Sequence, residues 1–136
     1  MTELTLAICI MLEAGGEKGL DPKAAVASVI WNNGKGNPSK MLKYATSGKL
    51  TGWARRHEDA TWLPSMWSDT AEGSWAECRA LAMCMVRGRF IPNVQSNMFY
   101  NPSMCVPDWA DQLTGIRKIG AHIFGEIKKS KKSKRK

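Results

Sequence analysis

Residues 2–17 read TELTLAICIMLEAGGE, and this stretch decides the fold. Thr2 suits a helix N-cap and Glu3 sits where the positive end of the helix dipole favours an acid. From Leu4 to Leu12 apolar side chains nearly surround the helical wheel, so the segment predicts a helix at the centre of the core. The pair Gly15-Gly16 is the glycine stop expected just past a helix end. Glu13 falls in the last turn and shares the stripe of Leu6, Cys9 and Ile10. A carboxylate at that place feels both burial and the negative end of the dipole, and both raise its pKa.

Working outward, Asp21-Pro22 predicts the start of a second helix through AAVASVIWNN to Gly34. Its Ala24, Ala25, Ala27 and Ser28 let another helix approach closely. Asn37-Pro38 predicts a third, shorter helix that carries Met41, Leu42, Tyr44 and Ala45 and closes at Gly48. Residues 49–68, with Gly52, Pro64 and the three tryptophans Trp53, Trp62 and Trp67, read as irregular, and a loop of that length is often functional. Asp69-x-x-Glu72 is a capping-box start for a helix through Trp75, Cys78, Leu81, Ala82, Met85 and Val86, ended by Gly88. Beyond it Phe90–Pro92, Asn97–Tyr100 and Ile116–Phe124 read as short extended pieces or turns between loops, with Gly120 marking a turn or a close backbone approach. The sum is a mainly α chain with a small antiparallel sheet, an α+β domain.

A chain of 136 residues suits one domain with a modest core. The net charge is +8, but KKSKKSKRK at 128–136 holds seven of the cations, and removing them leaves about +1 for the rest. The expected division is therefore a domain over 1–127 and a disordered basic tail over 128–136, able to bind polyanions or anionic surfaces. Cys9, Cys78 and Cys84 lie in apolar helical patterns and read as free thiols. Cys105 is left open to a disulfide if the protein works outside the cytoplasm. The apolar run Leu4–Leu12 is short, follows an acid and lacks a basic flank, so no signal peptide is expected. No stretch is long enough to span a membrane.

Three landmarks resemble one family, the SleB-like cell-wall hydrolases of the spore-cortex-lytic type, which also occur among bacteriophage lysis proteins. Leu12-Glu13-Ala14-Gly15-Gly16-Glu17 is similar to the family's E-[AS]-R-G-E segment. Ala24–Asn32 is similar to its V-A-x-V-x-x-N helix. Asn97-Met98-Phe99-Tyr100-Asn101-Pro102, Pro107-Asp108-Trp109 and Ile119-Gly120-Ala121-His122-Ile123-Phe124 are similar to its A-x-Y-[FY]-x-x-P, W and I-G-x-H-x-F elements. The matches fall in family order over residues 3–124, with none in 49–72. The family arginine is Gly15 here, so any contact made by that arginine is missing.

The resemblance implies a lysozyme-like or lytic-transglycosylase-like single domain. It also implies cleavage of peptidoglycan between N-acetylmuramic acid and N-acetylglucosamine, with Glu13 as general acid and base. One glutamate would protonate the glycosidic oxygen and then deprotonate the 6-hydroxyl of the sugar, leaving a 1,6-anhydro end. It further implies an endolysin-type role in host cell lysis: synthesis in the host cytoplasm, passage through a membrane pore, and action as a monomer on the wall. The basic tail would hold anionic wall polymer, lipopolysaccharide or a membrane surface. No cofactor and no metal are expected.

The residues themselves support this chemistry unevenly. A glycosidic oxygen leaves once a carboxylic acid protonates it, which is the work assigned to Glu13; read alone, Glu13 also fits an exposed helix-end residue. Gly15 and Gly16 leave room for a sugar. Glu17, Asp108 and Asp111 are candidates for a second carboxylate, and Glu17 reads as either a substrate contact or a salt-bridge partner. Tyr100 and Asn101 fit the orientation of an N-acetyl group or a sugar hydroxyl, or a strand with Phe99 and Tyr100 on opposite faces. Trp53 and Trp109 are candidate sugar platforms, with a core role as the alternative for Trp109. His122 reads as a hydrogen-bonded structural residue or a substrate-orienting one.

Other functions fit less well. A hydrolysing muramidase or an amidase would act on the same wall substrate. The chain has two histidines, His57 and His122, and no H-E-x-x-H, a poor basis for a zinc hydrolase. Cys105 with His122 would make a thiol hydrolase, without a family signature around the cysteine. A nucleic-acid-binding module rests on the tail alone. A catalytically dead wall-binding domain is at odds with the retained Glu13.

Overall fold

Leu6 to Met11 are all buried, so the middle of the first helix, α1 (Thr2–Ala14), has no solvent face. The computed structural model describes residues 2–59, 64, 67 and 73–127. Around α1 pack α2 (Leu20–Gly34), α3 (Pro38–Ala45), α4 (Thr51–Arg56) and α5 (Ser74–Val86), with α5 its most extensive neighbour. The fully buried side chains Leu6, Ile10, Ile30, Met41, Leu50, Met85 and Phe124 come from four helices, one loop and one strand. Each contributes roughly 1.5–3 kcal/mol by leaving water.

Asn37 caps α3 as its sequence predicts, accepting the backbone N–H of Lys40 at 3.0 Å with Pro38 at the first helical position. α2 begins one residue earlier than expected, behind Gly19 at φ +86°. The irregular reading of 49–68 is corrected at its start. Leu50 is buried in the core and anchors Thr51–Arg56 as a helix, continued by a 3-10 turn over His57–Asp59. Gly52 lowers helix propensity there, and the anchor at Leu50 overrides it. Trp62, Asp69 and Glu72 lie outside the described residues, as does the tail at 128–136; α5 follows Gly73, at φ +69°.

The sheet is antiparallel in the order β1 (Met98–Tyr100), β3 (His122–Glu126), β2 (Thr114–Ile119). Phe99 pairs with Phe124, and Ile119 with His122 across the two-residue turn Gly120-Ala121. Gly120 takes φ +59°, as a type II′ hairpin requires at its first central residue. The register slips between Thr114 and Arg117, where Gly115 has φ +62°; this is a bulge.

Asparagines at the end of α2 fasten the sheet to the helices. Asn32 Nδ2 donates to the carbonyls of Val94 and Ser96, and Asn33 Nδ2 to that of Asn97. The Asn97 side chain in turn holds both backbone groups of Ile127.

All four cysteines are free. Cys9 and Cys78 are buried, and burial pushes each thiol up to about 12. Cys84 departs from the apolar reading and is exposed, on the outward side of α5. Among the described residues no helix is long and apolar enough to cross a membrane.

Candidate active site

The last turn of α1 and the first turn of α4 meet at Glu13. Its carboxylate Oε2 accepts the backbone N–H of Gly52 at 2.5 Å. That N–H belongs to the unpaired set at a helix start, so it carries partial positive charge. Burial pushes the Glu13 carboxyl above its ordinary value of 4.5, and the Gly52 N–H works against that rise. Burial dominates, so the acid form persists to higher pH than in an exposed glutamate. Burial, followed by the Glu13 charge, also pushes Tyr44 up to about 12.

Gly52 is a position against Glu13 that sequence reasoning missed. A Cβ there would lie 2.9 Å from Glu13 Oε2 and 2.9 Å from the Leu12 Cβ. The signal, an isolated glycine inside a segment read as loop, is too common to single out. Gly15 and Gly16, expected to leave room for a sugar, do not line the cleft beside Glu13. A Cβ on Gly15 would meet the Met11 carbonyl oxygen at 2.5 Å, so this glycine serves helix packing.

Glu13 opens on a cleft of about 580 Å³, within the range of small-ligand sites. α1 and α4 give one side of it, with Leu12, Glu13, Thr51, Gly52, Arg55 and Arg56. β1, the loop after it and the 3-10 helix Asp108–Gln112 give the other, with Phe99, Tyr100, Asn101, Met104, Cys105, Pro107 and Trp109. His122 and Lys49 complete the lining. Glu13 is the single carboxylate among these described residues, beside three cations, Lys49, Arg55 and Arg56. A second hollow of about 430 Å³ lies between Pro92–Ser96 and β2 and has no aromatic wall.

The structure thus brings Glu13, Tyr100, Asn101, Trp109 and His122 to one cleft. Tyr100 and Trp109 meet edge to face, with ring centroids 5.8 Å apart. The opposite-face reading of Phe99 and Tyr100 does not separate them, since both line the cleft. Phe99 also stacks on Phe124 at 5.5 Å. Asn101 Oδ1 is occupied by the backbone N–H of Ser103 at 3.0 Å and its hydroxyl at 2.7 Å. Only the amide N–H₂ of Asn101 is therefore left to face a ligand.

Four candidates lie elsewhere. Trp53 packs against the core from α4 and stacks on His57 at 5.4 Å, outside the cleft lining. Asp108 and Asp111 are exposed on the 3-10 helix and also lie outside the lining. Glu17 turns away from the cleft. Its Oε1 accepts the Ala121 N–H at 2.7 Å and its Oε2 pairs with His122 Nδ1 at 2.8 Å.

Glu17 is held by a residue that the sequence did not flag. Lys23 is fully buried, and its Nζ donates to the carbonyls of Glu17 at 2.7 Å and Gly19 at 2.8 Å. The same ammonium pairs with Glu77 of α5 at 3.1 Å. A buried lysine persists when its charge is compensated in this way. Among the described residues no group of His, Cys, Asp and Glu is arranged to hold a metal ion. Cys105 and His122 both line the cleft, but no hydrogen bond joins them.

The chain matches no family model, no curated protein and no solved structure, so the geometry of the cleft speaks for its chemistry.

Proposed function

We propose that this protein is a lysozyme-like glycosidase of peptidoglycan, a lytic transglycosylase that uses Glu13 as both acid and base. The observation that carries the reading is the isolation of Glu13, a half-buried carboxyl with a raised pKa and the single described carboxylate in a cleft with aromatic walls. In its acid form Glu13 protonates the glycosidic oxygen, and the C1–O bond breaks. The carboxylate so formed takes the proton of the 6-hydroxyl of the same sugar. The 6-oxygen bonds C1 to give a 1,6-anhydro ring, and Glu13 ends as the acid it began. The substrate's acetamido oxygen supports C1 between the two steps.

This route needs one carboxylate. A hydrolysing glycosidase of the usual kind needs two, about 5–9.5 Å apart across the scissile bond. Glu17, Asp108 and Asp111 all lie outside the cleft, which favours the transglycosylase over a hydrolysing muramidase. Tyr100 and Trp109 offer apolar faces to a sugar ring. Lys49, Arg55 and Arg56 suit the carboxylates of a muramyl glycan. An amidase or zinc peptidase finds no such support. The nearly neutral charge of the chain outside its tail leaves nucleic-acid binding to residues 128–136 alone.

The test is incubation of the purified protein with washed peptidoglycan sacculi. Release of soluble anhydromuramyl fragments is expected. Intact sacculi, together with strongly salt-dependent retention of DNA on a filter, would replace the reading with nucleic-acid binding.

A further inference from the structure

His122 is buried, with 5% of its surface accessible, yet it lines the cleft. One nitrogen is spoken for. Nδ1 lies 2.8 Å from Glu17 Oε2, and a carboxylate accepts but does not donate, so Nδ1 carries a proton. In the neutral ring Nε2 is then the acceptor. Nε2 has no partner among the described residues, although no buried side-chain nitrogen or oxygen among them lacks one. With Nδ1 taken by Glu17 and His122 in the cleft lining, Nε2 is the ring nitrogen left for a ligand there.

The ring is also fixed in angle. Phe99 meets it edge-on, with centroids 5.3 Å apart. Glu17 is itself fixed twice over, by the Ala121 N–H at its Oε1 and by Lys23 at its carbonyl oxygen. Gly120 makes the approach of Glu17 feasible, because a Cβ there would collide with Glu17 Oε1. A structural histidine at a hairpin needs one hydrogen bond. This one has its tautomer selected and its second nitrogen left open to the cleft that holds Glu13.

We propose that His122 is a substrate-contacting residue whose Nε2 accepts a hydrogen bond from a sugar hydroxyl, and that Glu17 is its positioning residue. The inference rests on the glycan reading of the cleft and names a contact for the sugar. Glutamine and asparagine separate the two nitrogens of the ring. His122→Gln places an amide near the position of Nε2 and gives up the Glu17 contact. His122→Asn places one near Nδ1, keeps the Glu17 contact and leaves the cleft side empty.

The experiment measures kcat and KM on soluble glycan strands for wild type and both His122 variants, together with the imidazole ¹⁵N signals of the wild type. We expect His122→Asn to lose about tenfold or more in kcat/KM and His122→Gln to retain more of it than His122→Asn. The Nε2 signal of the free protein should move when glycan saturates the cleft. An asparagine variant as active as wild type would overturn the proposal, and so would an Nε2 signal indifferent to glycan. Wild type that binds glycan without cleaving it would refute the cleavage reading alone, and the ¹⁵N shift would still decide the contact.

Discussion

Replacing Lys23 with methionine keeps the side chain out to its ε-carbon and removes the ammonium. The ammonium makes three contacts, at 2.7 Å to Glu17 O, 2.8 Å to Gly19 O and 3.1 Å to Glu77 Oε1. The Glu77 side chain is one-third exposed, so water takes up most of that loss. The two carbonyls lie in the turn between α1 and α2, and each costs roughly 1–2 kcal/mol when its charged donor goes. Methionine recovers part of this, because no ammonium need then be desolvated. The balance is a destabilisation of about 2–3 kcal/mol, or roughly 6–10 °C in melting temperature for a domain of this size. Thermal unfolding followed by circular dichroism measures it. Glycan turnover should fall as well, since the loosened turn carries Glu17 and through it His122. A melting temperature within about 2 °C of wild type would refute the idea that Lys23 holds this turn.

Gly52→Ala sets a gain in helix propensity of up to about 1 kcal/mol against a Cβ placed 2.9 Å from Glu13 Oε2. Turnover should drop at least about tenfold while the melting temperature moves little; unchanged kcat would mean that the Gly52 contact does not set the carboxyl. The raised pKa of Glu13 fixes the sign of two pH effects. Turnover should fall as pH rises through that pKa, because the acid form starts the reaction. Between 4.5 and that pKa the folded state binds more protons than the unfolded one, so the contribution of Glu13 to stability is fully present below 4.5 and is lost as pH rises through the folded value. Glu13→Gln, which cannot ionise, should gain stability over wild type across that window, and pH-dependent melts of the two proteins check it. Deleting residues 128–136 should weaken binding to whole cells more than turnover of soluble glycan, and equal losses would remove the tail from the account.

The central helix was legible because its apolar residues leave no polar face and its glycine stop is plain. The capped start of α3 was equally plain at Asn37-Pro38. Glu13 was readable from its stripe and its place in the last turn, and the structure adds the burial that raises its pKa. Other features depend on partners distant in the chain. Gly52 matters because α4 brings it to Glu13, and no local pattern reports a contact across 39 residues. Lys23 follows Asp21-Pro22 in a first helical turn, where lysine is ordinarily solvated; its burial is set by α5 and by the turn before α2. Glu17 and His122 were each named, but their pairing spans 105 residues and needs the hairpin at Gly120. Trp53 shows the opposite failure: an aromatic residue suited to a sugar platform is occupied by His57 and the core.

The most direct test of the account is digestion of purified peptidoglycan with wild type and with Glu13→Gln in parallel, the products identified by mass spectrometry. The account predicts 1,6-anhydromuramyl fragments from the wild type and none from the variant, which keeps the side chain's shape but cannot supply the proton. Undiminished cleavage by Glu13→Gln, or no glycan cleavage by the wild type, would contradict it.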